Sequence, residues 1–417
     1  MPYHVAAGLD VHKKFIVATL LWSTGTKIQQ RFERTVQGTL ALKTWLLDYK
    51  CDVVACESTS DYWVTIYDLV IEHVPVLVGN AHDLKVLAHK KTDKIDSEMI
   101  ALLALKGMIS PPRVMPRHHR DFRKLVRLRH FRVGKRTDLK NRIHSILDSE
   151  LFPLAALLTD IFGVSGQRIL HGILNGVSAD EILLSIPRRI REKKEPEIRA
   201  LIDQNLSVGA LMQLGHLLRV MKQLDEEIAA LTEEAQAYVL RKFPREYALL
   251  RTVPGVGNIT AITLIAEIGN FKDFTSGDHL ASWLGLVPKV YQSANHVVKQ
   301  SITKRGSRYA RWIITQAAHA AAKARKNVLR DWYEAKKAVI GTGKAITALS
   351  RKMITIIWHL IVNDEEYVDK YRDPGTPQSP QMHTLRIPAS PHYTLEDVIR
   401  LVSEAIELLN QRDPDPV

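Results

Sequence analysis

The sequence predicts an α/β domain at the N-terminus followed by an all-α region. The first hundred residues alternate between short β-rich runs and helix-like segments, which is typical of α/β domains. From Phe122 onward the apolar residues recur at helical spacing throughout. A chain of 417 residues exceeds what one hydrophobic core usually fills, so two or three domains are expected.

The N-terminal elements follow one another as three strands and then alternating helices and strands. Strands are predicted at 5–11, 15–21, 28–36, 53–57 and 75–78, and helices at 40–49, 61–73 and 95–105. The order β-β-β-α-β-α-β-α is that of an RNase H-like fold. We therefore predict this fold for residues 1–112.

A central helical region is predicted for residues 113–245, where Pro244 ends the last helix. Eight apolar residues there alternate at intervals of three and four, as on the a/d seam of a coiled coil: Leu214, Leu217, Met221, Leu224, Ile228, Leu231, Ala235 and Tyr238. The partner of this seam is either another subunit or a helix of the same chain, such as the preceding basic one. The first alternative predicts a homo-oligomer, a dimer or tetramer.

The remaining chain is predicted to be helical up to about Asp369, with a C-terminal domain at 246–372. Five prolines between Pro374 and Pro391 then indicate a flexible linker. A short amphipathic helix at 395–410 follows, so residues 373–417 form a fourth segment.

The positive charge is concentrated in one segment. The chain has 58 Lys and Arg against 45 Asp and Glu, a formal charge of +13. Residues 113–142 hold 12 of the cations and only two acids, Asp121 and Asp138. Such a block indicates a polyanion, most commonly nucleic acid, although a solvated helix face is the simpler alternative. The candidate binding residues are Arg123, Lys124, Arg127, Arg132, Lys135, Arg136, Lys140 and Arg142.

The cysteine content and the apolar runs exclude other classes of protein. Two cysteines, Cys51 and Cys56, are too few for a disulfide framework or a zinc site. A chain without disulfides is compatible with a reducing compartment. The N-terminus lacks the order of a signal peptide, and the longest apolar stretch, 353–362, is too short to span a bilayer. The sequence predicts a soluble cytoplasmic protein that does not enter a membrane.

Four acidic residues stand at the ends of predicted elements in the first domain. Asp10 and Glu57 end two strands, and Asp93 and Asp96 lie three apart at a helix start. Carboxylates at the ends of neighbouring strands repel one another unless a cation lies between them. Hard oxygen ligands favour Mg²⁺ or Mn²⁺, and such ions support in-line phosphoryl displacement.

Each of these acids also has a simpler interpretation. Asp93 would serve as a helix N-cap, and Asp96 would interact with the helix dipole. The complete set in this fold order favours a metal site instead. Glu98 is a weaker candidate that we expect to face solvent.

A glycine-rich turn at 253–257, Val-Pro-Gly-Val-Gly, resembles a helix-hairpin-helix. Gly255 and Gly257 would let backbone N–H groups approach a phosphate without reading base sequence. Tight packing between helices would also require glycine at such a turn.

Ser293 lies in a polar, non-helical stretch surrounded by cations. These are Lys289, Lys299, Lys304, Arg305, Arg308 and Arg311. They would bind a scissile phosphate and stabilise its transition-state charge while a serine attacks phosphorus. A serine in a loop is more commonly a turn residue.

Several motifs together resemble the DEDD transposases of bacterial and archaeal insertion sequences, the IS110 family with its IS1111 branch. The matching motifs are Gly-Leu-Asp10-Val-His-Lys, Cys-Glu57-Ser-Thr, Lys-Thr-Asp93-Lys-Ile-Asp96-Ser-Glu, Gly-Val-Ser-Gly (163–166), Val-Pro-Gly-Val-Gly (253–257), Leu-Ala-Ser-Trp-Leu-Gly-Leu (280–286) and Thr-Lys-Arg-Gly (303–306). They occur in the family's order over most of residues 5–365. The sequence departs from the family after the serine, where it has Ala-Asn-His.

The resemblance implies a RuvC-like domain whose four acids are Asp10, Glu57, Asp93 and Asp96, and a second domain whose nucleophile is Ser293. In the family both sites meet to cut DNA through a serine-linked intermediate. A bridge or seeker RNA selects donor and target DNA. The resemblance also implies a prokaryotic, nucleoid-associated protein.

These observations lead to one hypothesis and two rivals. The hypothesis is a recombinase in which the acids hold Mg²⁺ and Ser293 exchanges one phosphate ester for another. The first rival is a junction nuclease that uses water, with Ser293 structural. The second is a non-catalytic nucleic-acid-binding protein.

Overall fold

The structure is a computed structural model that describes residues 2–58, 60–80, 84, 96–110, 113–293, 296–304 and 306–369. For residues 289–293 and 296–300 it describes the backbone. The predicted linker and terminal helix after residue 373 lie outside these residues. The chain divides into two compact units that join at Asp121 and Phe122. The division into four segments stays a prediction.

The first unit contains a five-stranded mixed sheet of order β3-β2-β1-β4-β5. Its strands are β1 (Val5–Val11), β2 (Phe15–Trp22), β3 (Lys27–Glu33), β4 (Val53–Glu57) and β5 (Val76–Gly79). Strands β1 to β3 are antiparallel neighbours, whereas β4 and β5 run parallel to β1. This arrangement confirms the predicted mixed α/β class and is consistent with an RNase H-like domain.

Helices cover both faces of this sheet: α1 (Val36–Asp48), α2 (Tyr62–Val70) and α3 (Ser97–Leu105). Leu9, Val54 and Cys56 pack with residues of α1 and α2 on one face. Ala6 and Ala55 pack with α3 on the other face. The faces separate because successive side chains of a strand point to opposite sides.

The boundary between β3 and α1 differs from the prediction, which extended the strand to 36 and began the helix at 40. The strand ends at Glu33, and α1 begins at Val36. Thr35 causes this early start because its hydroxyl accepts a hydrogen bond from Gly38 N at 3.1 Å, which caps the helix.

The second unit is mostly helical and has two hydrophobic cores. Helix α4 (Arg117–Ser149) enters it from the first unit. The further helices are α5 (Leu154–Leu157), α6 (Val164–Leu174), α7 (Ala179–Ser185), α8 (Arg188–Asp203), α9 (Val208–Lys242), α10 (Pro244–Thr252), α11 (Asn258–Ile268), α12 (Gly277–Trp283), α13 (Arg308–Lys323), α14 (Val328–Ile340) and α15 (Thr342–Asn363).

The two longest helices, α4 and α9, pack side by side in opposite directions. Phe122, near the start of α4, stacks on Tyr238, near the end of α9, with ring centroids 4.4 Å apart. Ile143, toward the end of α4, shares a core with Leu214 and Leu218 of α9. The apolar seam of α9 thus contacts a helix of the same chain, which is one of the two alternatives for its partner.

A β-hairpin interrupts the helical region, formed by β6 (Pro288–Ser293) and β7 (His296–Ile302). The prediction that the chain is helical throughout after Phe122 is wrong for these residues, whereas the non-helical stretch predicted around Ser293 is confirmed. The two strands are short, and their β-branched residues Val290, Val297, Val298 and Ile302 favour strand over helix. Ser293 is the last residue of β6, in register with His296.

Among the described helices, α15 is long and apolar enough to cross a membrane, with a mean hydropathy of 1.4. Leu349, Met353 and Ile357 are buried in the core that also contains α11 and α13. An apolar face buried in this way is what a core helix of a globular domain shows.

Candidate active site and nucleic-acid interface

Asp10 and Glu57 lie next to each other at one end of the sheet. Strands β1 and β4 are parallel neighbours, and Leu9 pairs with Cys56 just before the two acids. Asp10 alternates with Ala6 and Gly8, so it lies on the α3 face of the sheet. Glu57 lies on the same face because it alternates with Val53 and Ala55. Asp10 contacts His12 Nε2 at 2.9 Å and its side chain is 35% exposed.

Asp96 reaches the same end of the sheet because α3 runs antiparallel to β1. A Cβ added at Gly8 would lie 2.0 Å from the carbonyl oxygen of Ser97, so the start of α3 presses on β1 two residues before Asp10. A buried hydrogen bond of 2.7 Å between Thr19 and Ser97 fixes this contact. After the end of α3, Gly107 lies against Pro2, just before β1 begins.

The carboxylate of Asp96 caps α3 by accepting a hydrogen bond from Met99 N at 2.9 Å. The sequence interpretation assigned capping to Asp93 and a dipole interaction to Asp96, whereas in the structure Asp96 is the residue that caps α3. A carboxylate has two oxygens and about four acceptor positions, of which this cap uses one.

The structure thus brings three of the four predicted acids to one face and one end of the sheet: Asp10, Glu57 and Asp96. Asp93 lies outside the described residues. Oxygen donors of this kind fit Mg²⁺ or Mn²⁺. Within the described part of the chain, no group of three His, Cys, Asp or Glu side chains is close enough to hold one ion. Glu98 forms an ion pair with Lys27 at 2.7 Å. Lys27 belongs to β3, which β2 separates from the strand of Asp10.

Ser293 ends the first strand of a hairpin whose base is held tightly. Thr303 N donates to Val287 O at 2.9 Å, and Lys304 N donates to Gly285 O at 3.2 Å. Lys304 has a φ of 56°, and Gly306 a φ of 77°. A Cβ at Gly306 would lie 1.9 Å from the carbonyl oxygen of Trp283, so only glycine fits there. The hairpin therefore leaves the helical domain at a defined place.

The cations predicted around Ser293 differ in their environment. Lys304 and Arg308 are exposed. Arg311 donates to Leu284 O at 2.9 Å, and burial lowers the pKa of its guanidinium. Arg305 and the side chains of Lys289 and Lys299 lie outside the described residues.

A buried carboxylate that the sequence analysis missed connects three helices of the second unit. Glu267 of α11 is 1% exposed and accepts two hydrogen bonds from Arg127 of α4, at 2.7 and 2.8 Å. Ser307, which caps α13, donates to the same carboxylate at 2.7 Å. Arg123 of α4 donates to Ala266 O at 3.2 Å. A single acid in an otherwise apolar helix was the available signal.

Several cations of α4 pair with acids of α9. Arg132 contacts Glu227 at 2.9 Å, and Arg136 contacts Asp225 at 2.5 Å. These acids lie outside residues 113–142, so the net positive charge around this segment is lower in the folded chain than its own composition indicates.

The other candidates on α4 divide between local contacts and exposed positions. Lys135 pairs with Asp138 at 3.0 Å, and Lys140 lies 4.7 Å from the ring centroid of Phe162. Lys124 and Arg142 are exposed. Nucleic-acid binding by the eight candidate residues of α4 stays a prediction.

The glycine turn between α10 and α11 packs against α13. Gly255 has a φ of 84°, and a Cβ there would lie 2.3 Å from Ala317 O. Close packing against α13 therefore requires glycine at position 255. The sequence had offered tight helix packing as the alternative to a phosphate contact. Gly257 is exposed and precedes the first turn of α11. Its contact with a phosphate stays a prediction.

Comparison with known proteins identifies the family to which the chain belongs. Residues 7–153 match a family model described as Transposase, of the DEDD type of IS110 elements, and residues 247–334 match the model described as Transposase IS116/IS110/IS902 family. The two matches contain both the acidic end of the sheet and the hairpin of Ser293. The chain belongs to the IS110 family of DEDD transposases.

Three relatives extend the similarity along the chain. The transposase for insertion sequence element IS1111A of Coxiella burnetii is 25% identical over 316 residues, 75% of this chain and 78% of that protein. The transposase for insertion sequence element IS1328 of Yersinia enterocolitica is 22% identical over 366 residues, 86% of this chain and 97% of that protein. A probable family 20 transposase of Pseudomonas aeruginosa is 32% identical over 161 residues, 37% of this chain and 47% of that protein.

Proposed function

We propose that this insertion-sequence transposase cuts and rejoins DNA through attack of Ser293 on a phosphodiester. The observation that carries the proposal is the position of Asp10, Glu57 and Asp96 on one face and at one end of the sheet. Carboxylate oxygens are the donors that Mg²⁺ and Mn²⁺ prefer, and such cations support phosphoryl transfer. The family supports the same assignment.

In this mechanism Asp10, Glu57, Asp93 and Asp96 hold Mg²⁺ or Mn²⁺. The cation, when bound, neutralises charge on the phosphate and stabilises the transition state. The oxygen of Ser293 forms a bond to phosphorus while the bond from phosphorus to a deoxyribose oxygen breaks. The proton of the serine hydroxyl leaves to solvent, and the released sugar hydroxyl gains one. Because one phosphate ester replaces another, the reverse reaction rejoins the strand without ATP.

The proposed partners are donor and target DNA and a guide RNA of the bridge or seeker type. The exposed cations Lys124, Arg142, Lys304 and Arg308 support a polyanionic partner. The guide RNA rests on the family resemblance. We place the protein in the cytoplasm, where this DNA is found.

The proposal is tested by incubating the purified protein with DNA that carries the element ends and Mg²⁺, and resolving the products on a denaturing gel. We expect a covalent protein–DNA adduct with the wild type and none with Ser293→Ala. Ser301→Ala, on the opposite strand of the hairpin, is the matched control and keeps the adduct. Cleavage without any adduct would favour the nuclease that uses water.

A second variant separates the catalytic proposal from the non-catalytic alternative. Asp10→Asn removes one negative charge while keeping the side-chain shape, so we expect loss of cleavage with DNA binding retained. Excision in cells that continues with Asp10→Asn at the wild-type rate would favour a binding protein that depends on another nuclease.

A further inference from the structure

Helix α13 exposes a row of cationic, aromatic and polar side chains along one side. The row is Arg308, Trp312, Gln316, His319 and Lys323. Its spacings of four, four, three and four residues keep the side chains on one face of a helix. The row spans about 22 Å at the rise of an α-helix. None of the 16 residues of α13 is acidic. We call this row the α13 stripe.

Trp312 is the unusual member of the stripe. Its exposed fraction is 45%, whereas Ile313 and Ile314 next to it are buried in the core. The indole and the ring of His130 from α4 form a T-shaped contact, with centroids 4.8 Å apart. The indole is therefore supported from one side and open to solvent elsewhere.

Tyr309 supports the same end of the stripe from beneath. Its ring centroid lies 4.9 Å from the guanidinium carbon of Arg127 and 5.0 Å from that of Arg308. Arg127 is in turn fixed by the buried carboxylate of Glu267. The positions of these aromatic rings are thus set by packing and by an ion pair before any ligand binds.

Three helices meet under Trp312. A small, partly enclosed cleft there is lined by residues of α4, α11 and α13, among them His130, Ile259 and Thr263. Ile259 lies in the first turn of α11, directly after the glycine turn that ends at Gly257. The glycine turn itself packs against Ala317 and Ala321, so the candidate phosphate contact lies beside the later half of α13.

We propose that the α13 stripe binds an unpaired nucleic-acid strand, with a base stacked on Trp312 and phosphates held by Arg308 and Lys323. An exposed aromatic ring beside cations is the usual arrangement for single strands, because every base offers a π-face. The absence of acids on α13 favours a polyanion over an apolar partner surface. The inference rests on the proposed function for the origin of the strand, which is the DNA being exchanged or its guide.

Binding is measured by fluorescence anisotropy with the full-length protein and labelled 20-nucleotide probes. The probes are single-stranded DNA, single-stranded RNA and duplex DNA, at about 0.1 M salt. Trp312→Ala is expected to weaken single-strand binding by about 10-fold, as loss of one stacked base implies, and to leave duplex binding unchanged. Trp312→Phe, which keeps an aromatic face, restores most of the affinity and shows that the fold is intact.

Two further variants complete the design. Leu240→Ala on α9 removes an apolar side chain of similar exposure, 46%, and is expected to change no affinity. Lys323→Ala removes a phosphate contact. The slope of log affinity against log salt, which is negative, is therefore expected to become smaller in magnitude by about one. A loss with DNA but not RNA, or the reverse, supports the proposal and identifies the strand.

Three results would overturn the inference. The first is wild-type single-strand affinity in folded Trp312→Ala. The second is an equal loss with duplex DNA. The third is a halved molecular mass in light scattering with unchanged affinity, which would make the stripe an interface between copies. Adduct formation by Ser293 is measured separately, so failure of the stripe and failure of the proposed chemistry are distinguishable.

Discussion

At the scale of single residues, the buried carboxylate of Glu267 matters most for the second unit. A charge taken out of water is costly unless it is paired and hydrogen-bonded. Glu267 meets this condition with Arg127 and Ser307, from two different helices. The stability of this buried charge therefore depends on two tertiary contacts, with partners 140 and 40 residues away in sequence.

Arg127→Met is expected to lower the free energy of unfolding by about 2–3 kcal/mol, because Glu267 stays buried with less compensation. The remaining hydrogen bond from Ser307 keeps this loss of stability below that of an isolated buried charge. Urea denaturation measures the change in the free energy of unfolding. Lys135→Met on the same helix, at an exposed position, should cost less than about 0.5 kcal/mol. Equal losses in the two variants would show that the pair with Glu267 contributes little.

His130 predicts how stability depends on pH. Burial, and then the charges of Arg308 and Arg129, lower its pKa below the ordinary value of 6.5, while Glu267 acts in the opposite direction. The neutral ring is thus favoured in the folded state. Its contribution to stability is present above pH 6.5 and is lost as the pH falls through the folded pKa.

The free energy of unfolding should therefore decrease between pH 7 and pH 5 more steeply for the wild type than for His130→Phe, which cannot be protonated. Urea titrations at several pH values measure the difference. Superimposable pH profiles for the two proteins would contradict the assignment of this dependence to His130.

At the scale of elements, the contact between α3 and β1 determines where the acids lie. Gly8 lets the start of α3 approach β1, and the bond between Thr19 and Ser97 holds it there. Asp96 follows from this contact because it is the residue that caps α3. The alignment of three carboxylates is therefore a result of helix packing as well as of strand order.

Gly8→Val is expected to destabilise the first unit by about 3 kcal/mol, since its Cβ would lie 2.0 Å from a backbone oxygen. Cleavage should fall at least 10-fold because Asp96 is displaced. Thermal unfolding and the cleavage assay measure the two effects. Gly134→Ala on α4, where a Cβ meets nothing within 4 Å, is the control and should be neutral or slightly stabilising. Wild-type cleavage by Gly8→Val would contradict this role for the contact.

Much of the first unit could be predicted because its signals are local. Alternating apolar residues gave the strands, and the acids at their ends followed from strand order. The start of α1 was misplaced because Thr35 caps the helix, which therefore begins at Val36. The hairpin of Ser293 was missed as secondary structure because its strands are short. The role of Ser293 as nucleophile was predicted through the family resemblance and stays a prediction.

The pairing of α4 with α9 could not be predicted with certainty from sequence. Arg132 and Arg136 meet Glu227 and Asp225 about 90 residues later in the chain. A count of charges along the sequence cannot detect such contacts. For the same reason the α13 stripe becomes visible only when burial separates its exposed residues from its core residues.

At the scale of the whole molecule, the remaining prediction concerns self-association. The seam of α9 contacts α4 of the same chain, and the proposed exchange between two DNA molecules is the ground for predicting a larger assembly. We expect light scattering of the purified protein with nucleic acid bound to give the mass of a dimer or tetramer. A monomeric mass under these conditions would contradict it.

The central claim is that Ser293 becomes covalently attached to DNA in a reaction that needs the four acids. Mass spectrometry tests it most directly: the adduct is digested with nuclease and protease, and the modified peptide is sequenced. The claim predicts a nucleotide joined through phosphate to Ser293, formed with Mg²⁺ and absent in Asp10→Asn. A nucleotide on any other residue, or cleaved DNA without a modified peptide, would contradict it.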